Sequence, residues 1–266
     1  MSCILFKKNM IPKQIDIGPF AFHLYGAVIG IAIFIGWYVS KKRAAIYKIP
    51  ANIFEDYLLI LPLVTSLSGA RIYHVIDYWH VYRQNPISIL YIQNGGLGIW
   101  GAIIGAVTGL FIFCRIRKLN FLKVLDLFAP ALALGQAIGR LGNYINQEGF
   151  GPPTNLPWKV YIEPLNRPLY YLSDKYFHPT FFYEALLNLL SFFILITIAK
   201  KLKKPGQVFS IYLILYALSR FVTEHFRIDT WVIGSLKVSY LFSAVCFLLG
   251  VFAYIYLAHF KRLDRS

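Results

Sequence analysis

Charge is what this chain has least of. Only 15% of its residues are Asp, Glu, Lys or Arg, where soluble domains carry roughly 25%. The acidic side is the thinner, with 12 carboxylates against 27 basic side chains. Cysteine is nearly missing: Cys3, Cys114 and Cys246 are spaced for neither metal nor redox chemistry. Cys114 and Cys246 sit in apolar runs and read as packing residues. Internal repeats and low-complexity linkers are lacking, so one helical domain over residues 1–266 is expected. The first long apolar run has Lys41, Lys42 and Arg43 after it rather than before it. It is therefore expected to stay as an anchor, not to be cleaved as a leader. What fills the chain is apolar: 58% of residues are hydrophobic and 17% aromatic, and the mean hydropathy is +0.56. That balance belongs to a membrane protein.

A bilayer-spanning helix needs about 20 mostly apolar residues. Such stretches run at roughly 20–40, 57–78, 97–114, 121–139, 180–199, 207–226 and 236–258. Asp126 makes the fourth the least regular. Basic residues crowd alternate connections. Lys41, Lys42, Arg43 and Lys48 follow the first run, Arg115, Arg117, Lys118 and Lys123 the third, and Lys200, Lys201, Lys203 and Lys204 the fifth, with Lys261, Arg262 and Arg265 in the tail. Lys7, Lys8 and Lys13 at the other end run against this pattern. The bias predicts an all-α polytopic membrane protein of about seven transmembrane helices, N-terminus outside and C-terminus cytoplasmic. Its one large outer elaboration would be 140–179. The net charge of +15 then serves topology and anionic headgroups, and nucleic acid is not expected as a partner.

With that orientation the awkward polar residues gather on the outer side. His23 and Tyr25 open the first run; Arg71 and His74 lie in the outer half of the second. Asn94, Gly95, Gly96 and Trp100 open the third, and Arg140, Asn143, Asn146 and Glu148 close the fourth. His178, Tyr183 and Glu184 open the fifth, and Arg220 and Glu224 occupy the outer half of the sixth. A charge at mid-bilayer costs roughly 2.5–3.5 kcal/mol on insertion scales, so it is paired or lines a cavity. Arg220 and Glu224, four apart, share a helix face and can pair. Arg71 and Arg140 arrive from other helices with fewer carboxylates to match, which leaves positive charge for an anionic phosphate; for Arg71, snorkelling to headgroups is the plainer alternative.

Gly101, Gly105 and Gly109 form a ridge of the small-xxx-small kind, and Gly26–Gly30 and Gly135–Gly139 form single steps; close packing is expected at all of them. Asn94-Gly95-Gly96 instead marks a sharp backbone turn. The densest stretch is Gly139-Arg140-Leu141-Gly142-Asn143-Tyr144-Ile145-Asn146-Gln147-Glu148-Gly149-Phe150-Gly151. Its glycines and amides predict that the apolar helix ends here in irregular backbone facing protein or a wet cavity.

That stretch resembles the signature of the bacterial prolipoprotein diacylglyceryl transferases, R-x-G-N-F-x-N-x-E-x-x-G, with Tyr144 at the usual Phe. Further blocks agree in order: His23-Leu24-Tyr25-Gly26, Gly69-Ala70-Arg71, Gly95-Gly96-Leu97, His178-Pro179 with Tyr183-Glu184-Ala185, and Arg220 to Arg227. The resemblance covers almost the whole chain. It implies a multi-pass enzyme of the bacterial cytoplasmic (inner) membrane with its active site near the outer leaflet. Such an enzyme moves the diacylglyceryl group of phosphatidylglycerol to the lipobox cysteine of a preprolipoprotein signal peptide, giving a thioether and glycerol phosphate. Phosphatidylglycerol, that peptide and the bilayer are the implied partners; no metal and no cofactor is implied.

By the same resemblance Arg140 matches the family's phosphatidylglycerol-binding arginine, and Arg220, Glu224, Tyr25, Asn143, Glu148 and Gly151 match positions needed for activity. The expected catalytic set is Arg220, Glu224, Tyr25, Asn143, Glu148 and His23. The expected substrate-binding set is Arg140, Asn146, Gly151, Arg71, Gly95 and Gly96. The chemistry is consistent: the phosphate leaves with added negative charge, which arginines stabilise. A thiol with a reference pKa of about 8.5 needs a base or a thiolate-stabilising field. Many relatives carry a histidine where this chain has Trp100, which accepts no proton, so either Glu148, Glu224, His23 or Tyr25 is the base here or the family's histidine is not the base. The region of Val238-Ser239-Tyr240 also lacks an expected Gly-Gln pair.

Three rival readings differ in what they require. A transporter for an anionic solute would spread its polar residues through the membrane and pair its halves. An intramembrane protease would need a serine in a G-x-S-G setting with a histidine partner, and none is present. An inactive relative is a reading that Trp100 leaves open.

Overall fold

The computed structural model describes residues 12–17, 20–92, 95–228, 230–234 and 236–259. Cys3, Lys7, Lys8, Asn94, Lys261, Arg262 and Arg265 fall outside them. The main elements are helices α1 (Leu24–Arg43), α2 (Leu61–Asp77), α3 (Trp79–Tyr82), α4 (Ile99–Ile116), α5 (Phe121–Asn146), α6 (Thr180–Ala199), α7 (Gln207–Phe226) and α8 (Val238–His259). Among the described residues three antiparallel strand pairs, each strand two or four residues long, accompany them: β1 (Gln14–Ile17) with β2 (Phe20–His23), β3 (Val160–Tyr161) with β4 (Tyr176–Phe177), and β5 (Val232–Ile233) with β6 (Leu236–Lys237).

Among the described residues six segments are long and apolar enough to cross a membrane: Leu24–Tyr47, Tyr57–Asp77, Ile99–Ile116, Phe121–Asn146, Thr180–Ala199 and Val238–His259. This is an all-α, multi-pass membrane protein. α8 shows how such a helix is inverted relative to a soluble one. Leu241, Val245, Leu248, Phe252 and Ile255 form an exposed stripe, while Ser243, Cys246 and Gly250 face inward. Small residues meet the neighbouring helix and large apolar ones meet lipid. α7, although 20 residues long, is outside the set of six; it carries Gln207, Arg220 and Glu224.

The chain divides into two compact units, one holding the residues up to Ser40 and from Asp126 onward, the other Lys41–Leu125. In the second unit α2 and α4 run antiparallel with their backbones nearly touching. A Cβ on Gly101 would strike the Gly69 carbonyl, one on Gly105 the Thr65 carbonyl, and one on Gly109 the Thr65 hydroxyl. The glycine ridge of α4 is thus a packing face, as its spacing predicts. Ser66 Oγ donates to Ala102 O across the same seam at 3.0 Å. At one end of the pair Asp56 accepts from Leu58 N at 2.9 Å and meets the Arg117 guanidinium at 2.5 Å. The hydrogen bond from Arg117, aided by the Leu58 amide, holds the Asp56 carboxyl below its usual range and raises Arg117.

In the first unit α7 packs against both α6 and α8. Ala129 and Ala133 of α5, Phe192, Leu195 and Ala199 of α6, and Val208 and Tyr212 of α7 form its core. Asp126, which made the fourth run look irregular, is fully buried for a local reason. Its carboxylate accepts the backbone N–H of Gly206 at 2.7 Å and of Phe209 at 2.8 Å, capping the start of α7 from α5. A second small core of Phe150, Ile162, Phe177 and Phe181 roots the elaboration after α5 onto the start of α6. The other glycine steps differ from the ridge of α4. Nothing lies within 4 Å of a Cβ placed on Gly26, Gly30, Gly135 or Gly139, so close packing is not what these four glycines serve among the described residues.

Candidate active site

The glycine-rich stretch does not break the helix where its composition predicts. α5 continues through Gly139 and Gly142 to Asn146. Arg140, Asn143 and Asn146 therefore repeat every three residues along its last turns and share one face. The break comes later, at Gln147 with φ 56° and Gly149 with φ 68°. There the backbone N–H of Gln147 returns to Tyr144 O at 3.2 Å and that of Glu148 to Asn143 O at 3.0 Å. This is a left-handed helix stop of the familiar kind. It turns the Glu148 carboxylate back onto the helix face it follows. Glu148 Oε1 accepts from Asn143 Nδ2 at 3.1 Å and from Asn146 Nδ2 at 3.3 Å.

From this face the polar groups continue inward. Arg140 Nη1 donates to Asn143 Oδ1 at 3.0 Å, and its Nη2 forms an ion pair with Glu184 Oε1. Glu184, on the second turn of α6, is buried and reaches Arg220 Nη1 of α7 with its other oxygen at 3.4 Å. Arg220 Nη2 in turn meets Glu224 Oε2 at 2.9 Å and Ser239 Oγ of α8 at 3.2 Å. Four helices contribute to one chain of contacts. The i,i+4 pairing of Arg220 with Glu224 is the one expected from helical spacing. The charge balance is different from the expectation. Two arginines are matched by two carboxylates, because Glu184 stands between them.

Glu224 is completely buried, and its Oε1 has no hydrogen-bond partner among the described residues. Below it Lys237 closes the end of α7, donating to Glu224 O at 2.8 Å and Arg227 O at 3.1 Å, where a cation complements the helix terminus. Tyr25, in the first turn of α1, lays its ring over Gly142, and a Cβ there would collide with it. His23 is exposed at the end of β2, paired in register with Gln14. Gly151 is wedged between elements: its N–H donates to His178 O at 2.9 Å, and a Cβ would meet Phe226 O and Thr180 Oγ1. His178 and Trp158 both hydrogen-bond the Tyr183 hydroxyl, at 3.1 and 2.8 Å.

The remaining candidates belong to the other unit. Arg71 is buried in α2, and its guanidinium donates to the carbonyls of Ile89 at 2.8 Å, Ser88 at 2.5 Å, Gly95 at 2.8 Å and Gly96 at 3.0 Å. It does not snorkel; it gathers the loop between α3 and α4. Gly95 and Gly96 take φ of 84° and 74° there, and a Cβ on Gly96 would meet Arg71, His74 and the Tyr82 hydroxyl. Trp100 follows in the first turn of α4.

A family model for prolipoprotein diacylglyceryl transferase matches residues 12–256. The chain belongs to that family. Among its relatives, the phosphatidylglycerol–prolipoprotein diacylglyceryl transferase of Synechococcus sp. (strain CC9902) is 42% identical over 253 residues, 90% of each chain. That of Synechococcus elongatus is 39% identical over 257 residues, covering 94% of this chain and 89% of its own. That of Finegoldia magna is 42% identical over 228 residues, covering 85% and 88%. Within this transferase family frame, the sequence placed Glu184 among the outer polar residues but left it, with Ser239, out of the expected catalytic and substrate-binding sets. Glu184 carried a signal, an acid at the entrance of an apolar helix, but its two partners lie 44 and 36 residues away. Ser239 carried none.

Proposed function

We propose that this protein transfers the diacylglyceryl group of phosphatidylglycerol to the lipobox cysteine thiol of a preprolipoprotein, forming a thioether and releasing glycerol phosphate. The observation that carries this reading is the meeting of Arg140 and Arg220 around Glu184, beside the Asn143–Glu148 pair. In the reaction the sulfur attacks the glyceryl carbon that bears the phosphate ester. The carbon–oxygen bond breaks, and its electrons go to the phosphate, which gains one negative charge. Guanidiniums held rigidly at that phosphate stabilise the transition state more than the ground state. Asn143, with its amide oriented between Arg140 and Glu148, extends the hydrogen-bonding surface, and Tyr25 borders it through Gly142.

The thiol proton must pass to a base. Glu148 is the exposed carboxylate of the set, while Glu224 is fully buried and already paired with Arg220. Within their own unit Arg71, Gly95 and Gly96 form a fixed loop rather than free donors, and Asn146 and Gly151 shape the turn that carries Glu148.

The membrane setting is part of the proposal. α7 counts as the seventh crossing: its polar residues Ser219, Thr223 and Glu224 are buried, while Leu218, Phe221 and Val222 are exposed as a lipid face. Seven crossings with the basic clusters inside put the N-terminus out, the C-terminus in the cytoplasm and the active site at the outer leaflet of the bacterial cytoplasmic membrane. There both acyl tails remain in lipid during transfer. Purified protein reconstituted with phosphatidylglycerol and a lipobox peptide should yield a thioether-linked diacylglyceryl peptide by mass spectrometry. No product at any lipid composition would sink the assignment.

A further inference from the structure

Arg140 pairs with one carboxylate, Glu184; Arg220 shares that carboxylate and also holds Glu224. Glu224 is tied to its own helix, four residues from Arg220. Glu184 comes from a different helix and is the group common to both arginines. Its side chain is 4% exposed, against 24% for Arg140 and 16% for Arg220. The arginines therefore keep an accessible side while the carboxylate lies behind them. The Nε atoms of both arginines make no hydrogen bond among the described residues.

An anion approaching from the accessible side meets a cluster whose formal charge is already zero. We infer that Glu184 is a built-in rival of the substrate phosphate: a positioning residue that aims Arg140 and Arg220 at one point and weakens their hold on the anion. This inference rests on the transferase reading and deepens it. The product of the transfer is a phosphate monoester, which carries more negative charge than the diester it came from. Without Glu184 the two arginines would be left with Glu224 alone, a net charge of +1, and would retain that product most strongly of all the species in the cycle. A fixed carboxylate behind them lowers the affinity for every anion and by the largest factor for the most charged one, because the repulsion scales with charge. Transition-state stabilisation survives, since the guanidiniums stay aimed, and product release is quickened.

Replacing Glu184 by Gln keeps the shape and removes the charge. In full-length protein reconstituted into phosphatidylglycerol-containing nanodiscs, Glu184→Gln should bind glycerol phosphate about tenfold more tightly, read as product inhibition. Its KM for phosphatidylglycerol and its kcat should both fall. Inorganic phosphate should inhibit it more strongly than it inhibits the wild type. Glu184→Asp, one methylene too short to bridge both arginines, should move anion affinity in the same direction by a smaller factor, and it answers the question if the Gln variant does not accumulate. Unchanged or weakened anion inhibition in whichever variant folds overturns the inference, even where kcat falls, because a merely structural carboxylate would lower kcat without tightening anions. Absence of product from the wild type would instead overturn the transferase reading, so the two failures are told apart.

Discussion

The ring of Tyr25 occupies the volume that a side chain on Gly142 would need. The two residues lie on different helices, α1 and α5, and Gly142 falls between Arg140 and Asn143 in the sequence of the last turns of α5. Gly142→Ala should thus act through Tyr25 rather than through backbone strain, since Gly142 lies inside a regular helix. Displacing the ring moves its hydroxyl relative to Asn143. Such misplacement of about 1 Å costs on the order of a hundredfold in rate. The expected result is a kcat lowered by that order with membrane insertion unchanged. Full activity of Gly142→Ala would show that the Tyr25 seat does not matter to turnover.

Asp126 predicts an effect on folding and none on chemistry. Its carboxylate caps α7 through Gly206 and Phe209, so Asp126→Ala removes a buried acceptor and leaves two orphan N–H groups. Loss of a cap costs typically about 1 kcal/mol and up to about 2. The lower thermal midpoint should be seen in detergent, while kcat of the protein that remains folded stays normal. A lowered kcat at full stability would count against a purely structural role.

The contrast among the glycines tells how far a sequence can be read. The runs of apolar residues gave away the helices because lipid demands them regardless of tertiary detail. The i,i+4 pairing of Arg220 with Glu224 was legible because one helix dictates it. Small-xxx-small steps look alike on α1, α4 and α5, yet only those of α4 meet a partner backbone. Whether a neighbour arrives is decided by the other helix, which the step itself does not encode. The same gap hid Glu184. Its pairing with Arg140 and Arg220 joins three helices, and no local spacing records it. The signature misled in the opposite sense: glycines that resemble breakers sit in a continuous helix, and one of them, Gly142, makes room for Tyr25.

Asp56 and Arg117 link the segment before α2 to the end of α4 at 2.5 Å. The partner lowers the Asp56 pKa below its usual 3.8. A group with a lowered folded-state pKa contributes stability that is complete above the unfolded value and disappears as pH falls through the folded one. The stability difference between wild type and Asp56→Asn should therefore be constant from neutral pH down to about 4 and shrink below that. Because the pair is solvent-screened, added salt should reduce it as well. A difference that grows on acidification would contradict the pairing.

Arg71 offers the sharpest test of the second unit. Its guanidinium holds the carbonyls of Ser88, Ile89, Gly95 and Gly96 together, and its face lies 5.0 Å from the Tyr82 ring. Lysine keeps the charge but brings three donors on a point-like head, without the planar fork that reaches four carbonyls. Arg71→Lys should leave at least one buried carbonyl unpaired, costing on the order of 1–3 kcal/mol. The loss is local, so the loop between α3 and α4 should loosen before α2 and α4 separate, the glycine ridge being untouched. Limited proteolysis of the reconstituted variant should cut between residues 83 and 98 at a rate that the wild type resists. If instead cleavage there stays slow while phosphatidylglycerol binding weakens, Arg71 acts on the substrate and not on the loop.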